Sequence, residues 1–170
     1  HVTWFADGPQ DVKDTADYPL APPAPPPSPF DADIDTSFPK GKALSDWLGS
    51  QSALAAGGKL ALTKSRHDVN AVKATAQQWI SLANPNASGA RAVQYLTFNA
   101  PTTAPEDQQC GRAVFSDLHV SASDADKAGQ PFPAGCTGTE LSPQEKALIF
   151  MLFDLSSCVQ SDKREPTVPR

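Results

Sequence analysis

The sequence has no run of basic residues and no apolar stretch longer than seven residues. Nineteen Asp and Glu residues outnumber fourteen Lys and Arg residues, and the resulting acidic charge argues against nucleic acid and anionic membranes as partners. A membrane-spanning helix needs about 20 consecutive apolar residues, so we expect no membrane insertion. Only three cysteines are present, which leaves at least one unpaired within the chain.

Proline, in contrast, is abundant, with 17 residues that cluster toward the N-terminal end. Residues 19–29, P-L-A-P-P-A-P-P-P-S-P, are expected to run as extended polyproline II, because proline fixes φ and lacks a backbone donor. We interpret this stretch as a stiff connector or a surface loop, and the alternative is a proline-rich ligand for a partner. The chain starts at His1 without a methionine, so we expect a mature product or an excised fragment.

The strongest local pattern is the stretch 142–158, S-P-Q-E-K-A-L-I-F-M-L-F-D-L-S-S-C. Ser142 and Glu145 have the spacing of a capping box, and Pro143 suits the first helical position. The seven apolar residues at 147–153 make the helix apolar nearly all round, which is typical of a buried helix. We therefore predict a buried C-terminal helix in which Phe150 and Leu152 both fill the core.

Shorter patterns predict the elements that precede this helix. Apolar residues at helical spacing predict two helices, at 39–50 and 69–82. Alternating residues predict three strands, at 59–63, 92–98 and 112–120. This order predicts an α/β fold in which helices cover a small sheet. We divide the chain into a Pro-rich irregular segment packed on the domain, an α/β domain and a frayed tail, at 1–39, 40–160 and 161–170.

Three aspartates alternate at positions 31, 33 and 35, as calcium ligands do in some loops. An EF-hand loop also needs a glycine turn and a closing glutamate, and neither follows here. The pattern therefore predicts no cation site.

The densest polar group of the sequence is Ser116, Asp117 and His119, within F-S-D-L-H-V. We expect it at the carboxyl end of a central strand, where open α/β sheets bind ligands. On a strand Asp117 and His119 share one face and Ser116 points to the other, so the three do not form a catalytic triad. The alternatives are a ligand cleft and a structural role in which these side chains bond loop backbone. His67 is expected to start a helix capped by Asp68.

His1 raises a second functional hypothesis. An N-terminal histidine offers its amine and its ring to a metal ion, as in the copper brace of polysaccharide monooxygenases. His67 or His119 would then supply the second histidine. The predicted strands are too few for the β-sandwich on which that brace is built.

Four stretches together resemble a family. They are F-P-K-G-K-A-L-S-D-W-L, Q-Y-L-T-F-N-A-P, C-G-R-A-V-F-S-D-L-H-V-S and L-S-P-Q-E-K-A-L-I-F-M-L-F-D-L-S-S-C-V, at 38–48, 94–101, 110–121 and 141–159. They are similar to the carboxyl-terminal half of a module of large secreted or surface proteins of bacteria. That module resembles the class I glutamine-amidotransferase-like (ThuA-like) α/β superfamily. H-V-T-W-F at the N-terminus is similar to a stretch just after the module's central S-H-x-H segment.

The resemblance implies a secreted or cell-surface location and places Asp117 and His119 at a strand end that lines a cleft. Cys110, Cys136 and Cys158 match positions of the module, but none follows the glycine-flanked elbow that a nucleophile needs. We therefore expect a non-catalytic extracellular module that is structural or binds a polysaccharide or another cell-surface polymer. The module's first half has no counterpart here, so a missing N-terminal segment is a further expected partner.

Geometry predicts which cysteines pair. Cys110 precedes the strand at 112–120, and Cys158 ends the helix that is expected to run back along it. The two ends therefore come to the same level, within the Cα separation of roughly 4.4 to 6.8 Å that a disulfide requires. We predict a Cys110–Cys158 disulfide that leaves Cys136 free or paired outside this chain.

Overall fold

The computed structural model describes residues 8–27, 30–63, 65–118, 140–157 and 159–165. Within these ranges the helices are α1 (Gln10–Lys13), α2 (Pro39–Ser50) and α3 (Pro143–Ser156). The strands are β1 (Ala16–Asp17), β2 (Phe30–Ile34), β3 (Leu54–Ala55), β4 (Lys59–Leu62), β5 (Ala71–Val72), β6 (Ala76–Ala83), β7 (Arg91–Ala100) and β8 (Gly111–Ser116). No helix in these ranges is long and apolar enough to cross a bilayer.

Helices and sheet together give a mixed α/β fold, as predicted. Six strands form one sheet in the order β3-β4-β2-β6-β7-β8, with every neighbouring pair antiparallel. Strands β1 and β5 form a separate two-stranded sheet. One core cluster surrounds Trp79 and includes residues of α2 and α3, and a second contains Val12, Tyr18 and Phe115. The N-terminal residues therefore help to build a core of their own.

Strand β6 replaces the helix predicted at 69–82, so that prediction was wrong. The register between β6 and β7 shifts on both sides of Ile80, which marks a β-bulge. Trp79 and Ile80 are consecutive residues, yet both are fully buried and belong to the same core cluster. A bulge inserts one extra residue into a strand and breaks the alternation of its side chains. Because the alternation is broken, the spacing of the apolar residues in the sequence resembles that of a helix.

Strand β2 lies inside the segment that was predicted to be irregular, and it pairs with both β4 and β6. Phe30, Ala32 and Ile34 alternate with two aspartates, which is the period-two pattern of a strand. On the polar side, Asp33 forms ion pairs with Lys59 and Arg91. These two cations hold the pKa of Asp33 below its usual range, mainly through their hydrogen bonds. The two aspartates of β2 thus lie on the polar face of the sheet.

Helix α2, predicted at 39–50, begins so close to β2 that one of its positions has no room for a side chain. A Cβ atom at Gly41 would lie 2.0 Å from the backbone oxygen of Asp35 and 2.5 Å from the Phe38 ring. At Gly49, in the same helix, a Cβ atom would lie 3.7 Å from Leu54, which is an ordinary contact. The two glycines form a matched pair for substitution.

Gly41→Ala is expected to lower the free energy of unfolding by about 3 kcal/mol, because the backbone of Asp35 must move to admit the methyl group. Gly49→Ala should be neutral or stabilise by roughly 0.5 kcal/mol, because alanine has the higher helix propensity. Urea denaturation of both variants measures the difference. Equal effects at the two positions would contradict the close approach at Gly41.

Helix α3 packs on the sheet and starts with the predicted capping box, in which Ser142 and Glu145 bond each other's backbone N–H groups. The prediction that this helix is buried on all sides, however, was wrong. Ala147 and Met151 are buried, whereas Leu152 is 55% exposed and Phe153 is 70% exposed. The helix lies on the outside of the sheet, so it has one covered face and one open face.

The strand predicted at 112–120 is β8, which ends at Ser116, and positions 119 and 120 lie outside the described residues. Among the described strands β8 is the last in the sheet order, so in this part of the chain it does not have the central position that was predicted. The tail is also anchored near its start, because Asp162 is buried and accepts a hydrogen bond from Thr97 Oγ1 at 2.6 Å. The prediction of a frayed tail is therefore wrong at Asp162.

Candidate functional site

A cleft of about 550 Å³ lies between the proline-rich segment and the loop that follows β4. One wall is Pro22–Pro25 and the other is Ser65–Asp68. We call this feature the strap cleft and the proline-rich wall the strap. Residues 19–27 contain neither helix nor strand, in agreement with the polyproline interpretation.

Two asparagine side chains after β6 hold the strap in place. Asn84 Nδ2 donates to the backbone oxygen of Ala24 at 2.8 Å, and Asn86 Nδ2 donates to that of Pro25 at 2.9 Å. Pro22, Pro23 and Pro25 lack a backbone N–H, so at these three positions the strap backbone can bond its surroundings only through carbonyl groups. These two bonds fix the strap wall of the cleft before any ligand arrives.

The opposite wall is tied to β7 and to the end of β8. Gln94 Nε2 donates to the backbone oxygen of Arg66 at 2.8 Å, and Val93 N donates to the oxygen of Val69 at 3.1 Å. Between them, Asp68 N donates to Asp117 Oδ2 at 2.8 Å. The loop wall thus depends on one buried side-chain carboxyl group as well as on the strand.

His67 is buried in this loop, with 1% of its surface exposed, and its ring has an assignable tautomer. Asn84 Oδ1 accepts from Asn86 N, so the Asn84 amide must turn its NH₂ group toward His67 Nδ1, which lies 2.7 Å away. Nδ1 is therefore an acceptor, and the proton of the neutral ring sits on Nε2. Burial lowers the pKa of His67 and keeps the ring neutral at pH 7.

Asp117 is 2% exposed, and its pKa is raised to about 7. Burial is the main cause, and the nearby Asp68 carboxylate adds to it by charge repulsion and a side-chain hydrogen bond. The bond from Asp68 N and the charge of Arg66 act in the opposite direction. A carboxyl group of this kind is half protonated near neutral pH, which is the property expected at a functional site.

The residues singled out in the sequence are only partly brought together. Ser116 lies next to Tyr95 on the neighbouring strand, and burial raises the pKa of Tyr95 to about 12. The neighbours of Ser116 therefore differ from those of Asp117. Asp117 contacts the loop that lines the cleft. His119 and His1 lie outside the described residues, so their cleft and copper-brace roles stay predictions.

His67 does not start a helix, contrary to the sequence prediction, and its buried ring already accepts a bond from Asn84. Since His1 lies outside the described residues, the role of His67 as the second histidine of a copper brace stays a prediction. In the parts of the chain that the structure describes, no three His, Cys, Asp or Glu side chains come together as metal ligands.

Cys110 is exposed and has no disulfide partner in the described part of the chain. Cys136 and Cys158 lie outside it, so the predicted Cys110–Cys158 bond stays a prediction. The end of α3 does return to the start of β8, because Arg112 Nε donates to Asp154 Oδ2 at 2.7 Å.

The pairing of Asp68 with Asp117 and the anchoring role of Asn84 and Asn86 were missed in the sequence. A usable signal was the N-P-N triplet at 84–86, because asparagine amides at a turn can bond a neighbouring segment. Asp68 had been interpreted as a helix cap and therefore gave no such signal.

The chain matches no protein-family model, no curated protein and no solved structure. The resemblance to a ThuA-like module therefore depends on the sequence motifs alone and stays a prediction.

Proposed function

We propose that the chain is a non-catalytic module of a secreted or surface protein of bacteria, and that it binds an extended polysaccharide in the strap cleft. The observation that carries the proposal is an open cleft whose two walls are fixed by side-chain hydrogen bonds. Preformed sites bind with a smaller entropic cost than flexible loops. Four strap residues in polyproline II geometry also make a wall about 12 Å long, which suits an extended ligand.

The chemistry of the walls favours a neutral ligand rich in hydroxyl groups. The strap offers carbonyl oxygens and proline rings, and the loop offers the guanidinium of Arg66, whereas Asp68 lines the cleft but is only 6% exposed. Opposite charges on one wall leave no strong preference for an anion or a cation. Ser65 also lines the cleft, and its Oγ is buried with no hydrogen-bond partner among the described residues.

Ser116, the serine singled out in the sequence, lies beside Tyr95. A tyrosine whose pKa is raised to about 12 does not supply the general base that a serine nucleophile needs. This contact supports binding rather than hydrolysis as the activity of the chain.

Titration of soluble polysaccharides into isotope-labelled protein tests the proposal by nuclear magnetic resonance. We expect the amide shifts to concentrate at Ala24 and at residues 65–68, and Arg66→Ala to weaken binding about tenfold through loss of a charged hydrogen bond. Arg164→Ala is the control, because Arg164 pairs with Glu106 on an exposed surface outside the cleft. Shifts confined to another surface, or equal affinities of the two variants, would overturn the proposed site.

A further inference from the structure

A pair of buried carboxyl groups lies directly behind the loop wall of the strap cleft. We propose that the Asp117 carboxyl group acts as a pH-sensitive latch, which holds residues 65–70 against the sheet while it is protonated and loosens when the proton is lost. The latch would control the loop wall of the strap cleft, which is the site of the proposed function. Its biological role rests on the proposed function, but its existence does not.

The geometry favours a protonated Asp117. Asp68 is 6% exposed and Asp117 is 2% exposed, so water solvates neither carboxyl group well. Asp117 Oδ2 accepts from Asp68 N at 2.8 Å, while Asp117 Oδ1 is buried with no hydrogen-bond partner among the described residues. An ionised oxygen in that position is costly. When Asp117 is protonated, it can donate to the Asp68 carboxylate, and the two groups then attract each other.

The surroundings provide little compensating charge. Among the described residues, the titratable groups that act on Asp117 are Asp68 and Arg66 from the loop, and Tyr18 faces it from the N-terminal segment. Strand β7 contributes Gln94, whose backbone oxygen accepts from Asp117 N at 2.8 Å and whose side chain is uncharged. Arg66 is exposed, so solvent screens its charge. The pKa of Asp117, raised mainly by burial, agrees with this arrangement.

The sign of the pH dependence follows from proton binding. The closed loop holds Asp117 with a raised pKa, whereas in an open loop its carboxyl group would be solvated and titrate near its ordinary value of 3.8. Between about pH 4 and pH 7 the closed form therefore binds more protons than the open form. Closure is strongest at acidic pH, weakens as the pH rises through this window and becomes constant above it.

Amide hydrogen exchange of residues 66–70, corrected for the intrinsic pH dependence of exchange, tests the latch without any ligand. We expect the protection factors to fall by about 50-fold between pH 5 and pH 7 and to level off near pH 8. Asp117→Asn keeps an acceptor for Asp68 N and carries a permanent donor, so its protection should not vary with pH. Asp33→Asn, outside the loop, should behave as the wild type. A flat wild-type profile, or an unchanged pH dependence in Asp117→Asn, would overturn the latch.

Titration of the Asp117 carboxyl carbon in the wild-type protein gives a second measurement that needs no variant. A midpoint near pH 7 supports the latch, and a midpoint near pH 4 excludes it. Because no polysaccharide is present, both measurements are independent of the proposed function. A working latch in a chain that binds no polymer would overturn only the proposed function.

Discussion

Arg112→Met is expected to lower the free energy of unfolding by about 3 to 5 kcal/mol. Arg112 and Lys40 face Asp154 and Asp162 in a buried network, and the four side chains are between 2% and 8% exposed. Methionine fills a similar volume, but it leaves two buried carboxylates with one cation. Removing one partner of a buried ion pair costs about this much because the remaining charge is poorly solvated.

The network also joins parts of the chain that are distant in sequence. Lys40 Nζ donates to Asp154 Oδ1 at 2.8 Å, which connects the start of α2 with the end of α3. Thr97 Oγ1 accepts from Trp79 Nε1 at 2.8 Å and donates to Asp162 Oδ2 at 2.6 Å. Loss of one charge should therefore disturb both the helix packing and the tail.

Urea denaturation compares this variant with Arg164→Met. Arg164 pairs with Glu106 on the surface, where its side chain is 68% exposed, and exposed pairs contribute at most about 1 kcal/mol. A similar loss of stability in both variants would contradict the burial of the network.

A double-mutant cycle adds a sharper measurement. Asp162→Asn in the Arg112→Met background restores the charge balance, so we expect it to recover part of the lost stability. In the wild-type background Asp162→Asn should instead destabilise, because it leaves two cations with one carboxylate. Strictly additive effects of the two substitutions would show that they do not share a network.

The sequence predicted elements well where a single face is buried and the pattern is regular. Strand β4 and helix α2 follow such patterns and were predicted nearly at their observed bounds. Strand β7 was also predicted nearly at its bounds, although it is buried on both faces. Strand β6 was missed because its bulge places Trp79 and Ile80 in the same core cluster, which a rule of strict alternation does not allow. Strand β2 was missed because it lies within 1–39, the segment that was interpreted as irregular and Pro-rich.

The candidate site was less predictable than the fold, for a physical reason. Asp117 was singled out in the sequence, but its partner Asp68 is 49 residues away in the chain. The strap was recognised from its prolines, whereas Asn84, which holds it, bonds across 60 residues. Proline restricts backbone geometry locally, and such an effect is visible in any sequence. Side-chain pairing depends on which loops the sheet brings together, and this follows only from the complete fold.

The side chains of α3 provide a second large effect and correct a prediction made from the sequence. Both Phe150→Ala and Leu152→Ala were expected to destabilise strongly, because the helix was interpreted as buried on all sides. In the structure the Phe150 ring lies 5.7 Å from Trp47 and 6.3 Å from Trp79, measured between ring centroids. Leu152, two residues later, is 55% exposed and points away from this aromatic cluster.

We therefore expect Phe150→Ala to lower the free energy of unfolding by about 3 kcal/mol, through lost burial and a cavity between α3 and the sheet. Leu152→Ala should cost less than about 1 kcal/mol, because an exposed side chain leaves no cavity. The two variants share a helix and a substituted residue, so helix propensity affects both similarly. Chemical denaturation followed by tryptophan fluorescence reports both stabilities, and Trp47 and Trp79 also sense the Phe150 site directly. Equal losses would contradict the one-sided burial of α3, because Leu152 can cost as much as Phe150 only if the open face of the helix is covered in solution.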